Sequence, residues 1–585
     1  MSTFARDLPF GATLLAQNRT RFRLWAPGQH KIAVQVGARE IAMQRGAGGW
    51  HEVEAECGAG ATYQYKLADG TAVPDPASRA QADDVHGPSL VVDPRAYHWR
   101  TGDWMGRPWP ETVLYELHAG ACGGFAGVQT ELGRLAQLGI TAVELMPVND
   151  FPGQRNWGYD GVLPFAPDRA YGTPDDLKAL IDAAHARGLM MFLDVVYNHF
   201  GPDGNYLASY APEFFRTDVS TPWGPALDFR RGEVRRFFTE NALYWLMEYR
   251  FDGLRFDAVH AITEPDWLDE MAAEVRATIE KGRHVHLVLE HDGNIAEHLR
   301  GDFDAQWNDD GHHVLHVMLT GEDEGYYADY ADRPAERLAR CLAEGFVYQG
   351  EPSGHRDGAK RGTRSADLPP TAFVLFLQNH DQIGNRAFGD RLTTTVWPQA
   401  LEAAIALQLL CPQIPLIFMG EESASRTPFQ FFTDHHGALA DAVREGRRRE
   451  FASFAAFSDP ARRAQIPDPN DVQTFERSRP QPDPQRGDAR QALYRRLLAL
   501  RRQHITPRLP GARAIGAQLI GPAAVVARWH LGDGAVLTLA CNLGSDACAF
   551  TRPPGDLIFA SAEGAAARTD LPGTTTIALL EQFRG

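Results

Sequence analysis

Four carboxylic acids stand at or near the ends of short apolar runs: Asp194 in "MMFLDVVY", Asp257 in "GLRFDAVH", Glu290 in "HLVLEHD" and Asp381 in "AFVLFLQNHD". One such acid is as often a structural hydrogen-bond partner as a functional group. Four at the same end of one sheet would repel each other, unless cations compensate or chemistry needs them. Arg255 precedes Asp257 by two residues, so in a strand both side chains leave the same face. A buried charge pair of this kind is rarely kept for stability alone. Arg255 is expected to hold Asp257 ionised, and an ionised, partly desolvated carboxylate is a nucleophile. Glu290 has no cation beside it in sequence and follows apolar residues, so its pKa is expected to rise, as suits a general acid. Two carboxyl groups pushed apart in pKa are the equipment of glycoside hydrolysis. The alternative is an Arg–Asp pair that only seals the core. Nearby His199, His260 and His380 supply further compensating groups.

These acids need a scaffold that points them one way. From about residue 111, apolar strands alternate with helical stretches. The strands are read at 113–120, 141–148, 190–197, 253–259, 286–292, 303–309, 372–381 and 413–422. "PDDLKALIDAAHARG" and "EVRRFFTENALYWLMEY" carry apolar residues at helical spacing, and Gly188 is a good C-terminal cap for the first. Eight strand–helix units predict a parallel sheet closed as a (β/α)8 TIM barrel, whose strand C-termini form the floor of a cup. Residues 1–105 read as an N-terminal β-sandwich, 106–504 as the barrel and 505–585 as a C-terminal β-sandwich. Two long connections, one after the third strand and one before the seventh, are expected to carry function.

Bulk properties narrow the function. The chain has 585 residues, 44% hydrophobic and 23% charged, with a formal net charge of −17. That is a globular profile with room for two to four domains. No long basic run exists, so a nucleic-acid partner is not expected. No apolar run suits a bilayer, and "MSTFARDLPFGA" lacks the pattern of a secretory signal. Six scattered cysteines read as free thiols in a reducing cytoplasm, with a Cys541–Cys548 bridge as the alternative.

In order, "DVVYNH" (194–199), "GLRFDAVH" (253–260), "LVLEHD" around Glu290 and "FLQNHD" (376–381) resemble the four conserved segments of the α-amylase superfamily. The resemblance implies Asp257 as nucleophile, Glu290 as acid/base and Asp381 as a holder of sugar hydroxyls. His199, Arg255, His260, His380 and Gln382 would be supporting or substrate-binding residues, and Tyr159 in "NWGYDG" the aromatic under the sugar at the cleaved bond. "LMPVNDFPGQRNWGYDG", "QWNDDGHHVLHVMLTGEDEGYYADY" and "FLQNHDQIGNRAFGDRL" resemble the superfamily's trehalose-releasing branch. That implies hydrolysis of the α-1,4 bond next to the terminal trehalose of maltooligosyltrehalose. A glucan-branching transferase, a debranching hydrolase and an inactive glucan-binding protein are the rivals. No cofactor and no metal are expected. Asn198 reads as a loop tie rather than a calcium ligand, and the His-His pairs at 312–313 and 435–436 are not read as ligands. Trp223 is placed either in the cleft or in a core. Three departures from the family pattern, His291 after the acid, Ser423, and a shortened "AGACGGFAGVQ" loop, are read as lying near the cleft.

Overall fold

The computed structural model describes residues 2–582. Eight parallel strands close into a barrel: β1 (Leu114–Leu117), β2 (Ala142–Leu145), β3 (Met190–Val195), β4 (Gly253–Phe256), β5 (His286–Leu289), β6 (Ala305–Trp307), β7 (Phe373–Leu375) and β8 (Ile414–Phe418). Every residue of these strands is buried, which explains their nearly continuous apolar character. Leu114, Phe192, Val288, Phe376 and Leu416 fill the interior between Trp109 and Trp307. The barrel is therefore a packed core and not a channel.

The helices that follow are α1 (Gly124–Leu138), α2 (Pro174–His185), α3 (Gly232–Met247), α4 (Asp266–Thr278), α5 (Asp309–Thr320), α6 (Pro334–Glu344), α7 (Pro398–Leu410) and α8 (Gly487–Leu500). Helix α2 starts at a reciprocal cap between Thr173 and Asp176, with Pro174 in the first turn. It ends at His185, and the Gly188 N–H closes on the His185 carbonyl. The eight-unit reading needs one correction: among the described residues, β5 and β6 are joined only by a short 3-10 turn, His298–Arg300. A second concerns Asp381. Strand β7 stops at Leu375, and Asp381 sits in the first turn of a short helix, His380–Gly384, capped by Asn379.

The connection after β3 contains a hairpin, Phe215–Thr221 with Gly224–Leu227, and carries Trp223 in its turn. The connection before β7 contains a smaller one, Glu351–Pro352 with Lys360–Arg361. Ahead of the barrel two antiparallel sheets face each other, and after it a five-stranded sheet spans Arg513–Glu581. The N-terminal sheets are bolted to α3. Arg6 Nε lies 2.5 Å from Glu240, Arg79 Nη1 lies 2.8 Å from Glu248, and Lys178 of α2 reaches Glu248 at 3.6 Å. Cys541 and Cys548 are both free thiols. Among the described residues no helix is long and apolar enough to cross a membrane.

Candidate active site

The four acids read from the sequence do meet. Strand β4 lies between β3 and β5, with Arg255 opposite Asp194 and Val288. Its side chain is fully buried and enters a ring of carboxylates. Nη1 donates to Asp194 Oδ2 (2.7 Å) and Asp257 Oδ1 (2.9 Å), and Nη2 lies 2.8 Å from Glu290 Oε2. Below, the guanidinium stacks 4.1 Å over the Trp307 ring. One cation thus serves three acids from three strands. Ala258, between Asp257 and the rest of its loop, has φ 41°. That strained turn aims its N–H at Glu290 Oε2, 2.7 Å away.

The electrostatics reverse the sequence expectation. Burial and the neighbouring Glu290 carboxylate raise Asp257 well above the usual aspartate range, against the pull of Arg255. Burial also pushes Glu290 upward, but Arg255 and the Ala258 N–H outweigh it and bring it below its ordinary value. Glu290 has no cation beside it along the chain, yet it has one across the sheet. The two acids titrate as a unit, and the pair holds one proton through the range between these values.

His380 anchors a second network. Its Nδ1–H donates to Glu116 of β1, and its backbone N–H donates to the same carboxylate at 3.2 Å. Its Nε2–H donates to Tyr159 Oη at 2.8 Å, and that hydroxyl donates to Asp194 Oδ2 at 2.5 Å. Tyr159 stacks on the His380 ring with centroids 5.2 Å apart. Burial disfavours the charged imidazole, but Asp381 and Glu116 overcome this and raise His380 to about 9. Since 9 exceeds the usual histidine value near 6.5, the pairing stabilises the fold fully below pH ~6.5 and fades as pH rises through 9. Glu116→Gln should flatten that loss: between pH 6.5 and 9 the variant's urea midpoint falls less than the wild type's. Parallel curves for the two proteins would refute the pairing.

The other sequence-predicted residues divide. The buried His199 donates Nε2–H to the Tyr159 carbonyl (3.0 Å), sits with Nδ1 3.1 Å from Asn198 Oδ1, and carries Trp223 stacked at 4.8 Å. Burial depresses it to about 4, so it is neutral. Trp223 is 46% exposed and belongs to no core. His260 is exposed beside the Glu290 loop, where its Nδ1 accepts from the Asp292 N–H at 3.5 Å. Gln382 joins Glu290 and Asp381 on the wall of a cavity of ≈ 250 Å³. The three departures do not share that wall. His291 is buried, with Nδ1 accepting from Gly293 N–H. Ser423 and Cys122 of the shortened loop line a different cavity, of ≈ 460 Å³, on the outer side of β1 against Arg134 and Glu422. Among the described residues no group of three or more His, Cys, Asp or Glu side chains is placed to hold a metal.

Sequence reasoning missed Glu116, Glu144 and Asp309. Glu116 and Glu144 face each other across β1 and β2. Both carboxyl oxygens of Glu144 are buried without a partner, and burial drives its pKa far up. An acid inside "LYEL" or "AVEL" is the same signal that marked Asp194, and it was readable.

Comparison with known proteins agrees with the barrel fold. Residues 91–218 match the model of the alpha amylase catalytic domain, and residues 512–577 a domain of unknown function, DUF3459. A crystal structure from Salmonella typhimurium, assigned to the alpha amylases, superposes with a TM-score of 0.93 at 44% identity, covering 99% of this chain and 100% of that one. The malto-oligosyltrehalose trehalohydrolase of Deinococcus radiodurans is 43% identical over 513 residues, 85% of this chain and 82% of its own. That of Arthrobacter ramosus is 40% identical over 83% and 87%. With that identity sustained across more than four-fifths of each chain, the protein belongs to the malto-oligosyltrehalose trehalohydrolase family.

Proposed function

We propose that the protein is a retaining glycosidase that hydrolyses the α-1,4 bond adjacent to the terminal trehalose of maltooligosyltrehalose and releases trehalose. The observation that supports this is the sharing of one guanidinium by Asp257 and Glu290, as a nucleophile and an acid acting on one bond would require. Glu290 gives its proton to the glycosidic oxygen, and trehalose leaves with that proton. Asp257 attacks the anomeric carbon from the other face and forms a glycosyl ester. Glu290, now a carboxylate, deprotonates a water that displaces Asp257 and yields the shortened glucan with its α configuration retained. Asp381 holds hydroxyls of the sugar at the cleaved bond, and His380, with both ring N–H groups engaged by Glu116 and Tyr159, positions the Tyr159 ring beneath that sugar.

The proton that the pair shares must stand on Glu290 when the bond is cleaved. Positive charge growing on the anomeric carbon beside Asp257 favours its ionised form, so the transition state itself favours that placement. Either arrangement carries one proton, and that is the active charge state. Therefore kcat/KM should stay level through the ordinary carboxylate range and fall on the alkaline side only where the pair loses its last proton, well above the usual aspartate value. An alkaline limb near pH ~4, the ordinary carboxylate value, would rule this out.

The deciding experiment supplies maltooligosyltrehalose and plain maltooligosaccharide side by side and follows trehalose, glucose and the anomer of the new reducing end. Trehalose from the first substrate with an α product is expected. Faster cleavage of the plain oligosaccharide, new α-1,6 branches, or a β product would refute the assignment.

A further inference from the structure

The guanidinium of Arg255 is tied only at its two ends. Nη1 meets Asp194 and Asp257, and Nη2 meets Glu290. Its Nε is buried and has no hydrogen-bond partner among the described residues. A planar group tied at two atoms can still rock about the line that joins them. What closes that freedom is a face contact: the guanidinium carbon lies 4.1 Å from the centroid of the Trp307 ring. Strand β6 sets the ring there. Trp307 pairs in register with Val374 of β7, and Ala305, two residues earlier, shares its inward face and its core. Phe376 backs the indole with ring centroids 5.6 Å apart, and the His380 ring lies at 6.1 Å. The indole N–H is itself buried with no hydrogen-bond partner among the described residues. A buried indole usually finds one, and a bare donor destabilises the fold. A phenylalanine would fill the core without that cost. The indole is therefore kept for its face, which attracts a cation more strongly than any other aromatic ring.

We infer that Trp307 is a positioning residue, whose indole face fixes the plane of the Arg255 guanidinium so that one cation serves Asp257 and Glu290 together. The inference rests on the reaction proposed above. Guanidinium N–H bonds lie in the plane of the group. If that plane rocks, the N–H bonds swing away from the carboxylate oxygens even where the nitrogen atoms stay close. The nucleophile and the acid then lose their common cation, and the proton they share is no longer balanced between them. The groups that act on the guanidinium are Asp194 from β3, Asp257 from β4, Glu290 from β5 and Tyr159 from the loop after β2, together with Glu144 of β2 and the charged His380. All of these act through charge or a polar edge. Trp307 alone holds a face, and it does so in a site closed to water, where the attraction between a cation and a ring is largest. It acts through Arg255, beneath the acids.

The test compares wild type with Trp307→Leu and Trp307→Phe. Phe192→Leu is the structural control, because it thins the same barrel core against Trp109 and His286. In Trp307→Leu, kcat on maltooligosyltrehalose should fall by about 10²-fold with KM within about threefold of wild type. Trp307→Phe keeps a face, and its kcat should fall by only about tenfold. The alkaline limb of kcat/KM should move to higher pH in both, further in Trp307→Leu, because a cation turned away lets the two acids hold their last proton more tightly. Phe192→Leu should lower Tm and leave kcat and the limb in place. A wild-type kcat or an unmoved limb in the Trp307 variants, equal losses in the two, or the same limb shift in Phe192→Leu would overturn the assignment. If Trp307→Leu does not fold, a wild-type kcat or limb in Trp307→Phe overturns it. A wild type that releases no trehalose would refute the proposed reaction only, and the same readouts on the glucan it does cleave would then decide the role of Trp307.

Discussion

Turnover of maltooligosyltrehalose falls by about 10⁴-fold or more when Asp257 is replaced by asparagine, and comparably for Glu290→Gln, with the fold intact. The two losses have different causes. The Asp257→Asn variant cannot form the glycosyl ester, so neither half of the reaction proceeds. The Glu290→Gln variant cannot protonate the leaving oxygen, but a substrate with a good leaving group, such as a glycosyl fluoride, bypasses that step. Asp257 would then be esterified and the intermediate would persist, since no base activates the water. Mass spectrometry of Glu290→Gln after such a substrate should find one glycosyl unit on the peptide containing Asp257. Wild-type rates in either variant, or a label on Asp381 or Asp194, would dismantle the assignment.

The second large effect is on stability. Arg255→Met leaves Asp194, Asp257 and Glu290 facing each other with their shared cation gone. Breaking a buried pair by removing one partner costs about 3–5 kcal/mol, and here three carboxylates lose compensation together. The remaining acids would bind protons more tightly folded than unfolded, so the variant should recover stability as pH is lowered. Urea midpoints at pH 5 and pH 8 measure this: a deficit is expected at both, larger at pH 8. A pH-independent deficit would mean that Arg255 acts mainly by packing on Trp307. Arg255→Lys should remain inactive, because an ammonium cannot span the two Nη positions.

Much of this arrangement was legible in the sequence because acids are conspicuous inside apolar strands. All eight barrel strands, and the acids at the ends of three of them, could be read that way. Glu116 and Glu144 carried the same signal but lay in mid-strand, away from the strand ends where a barrel places its chemistry. The charge states were not legible. Strand β5 lies alongside β4 with Arg255 level with Val288, two residues before Glu290 on the same face. The cation that governs Glu290 is therefore close in space and 35 positions away in sequence. Nor could "DD" at 309–310 disclose which aspartate is fully partnered and which is bare, because that is decided by Tyr330, Val347, Tyr348 and Arg361. Asp381 was misplaced into β7 since "FLQN" continues an apolar run past the point where Asn379 caps a helix.

The bolts between the leading sheets and α3 bear on how this gene can be cut. A shortened version starting at residue 106 would strip Arg6 and Arg79 from Glu240 and Glu248. Among the described residues, Lys178 and Arg236 would be the only basic groups left to those two buried glutamates. A barrel excised in that way should come out of cells insoluble, and grafting one relative's leading region onto another's barrel should succeed only when both halves of the clasp travel together.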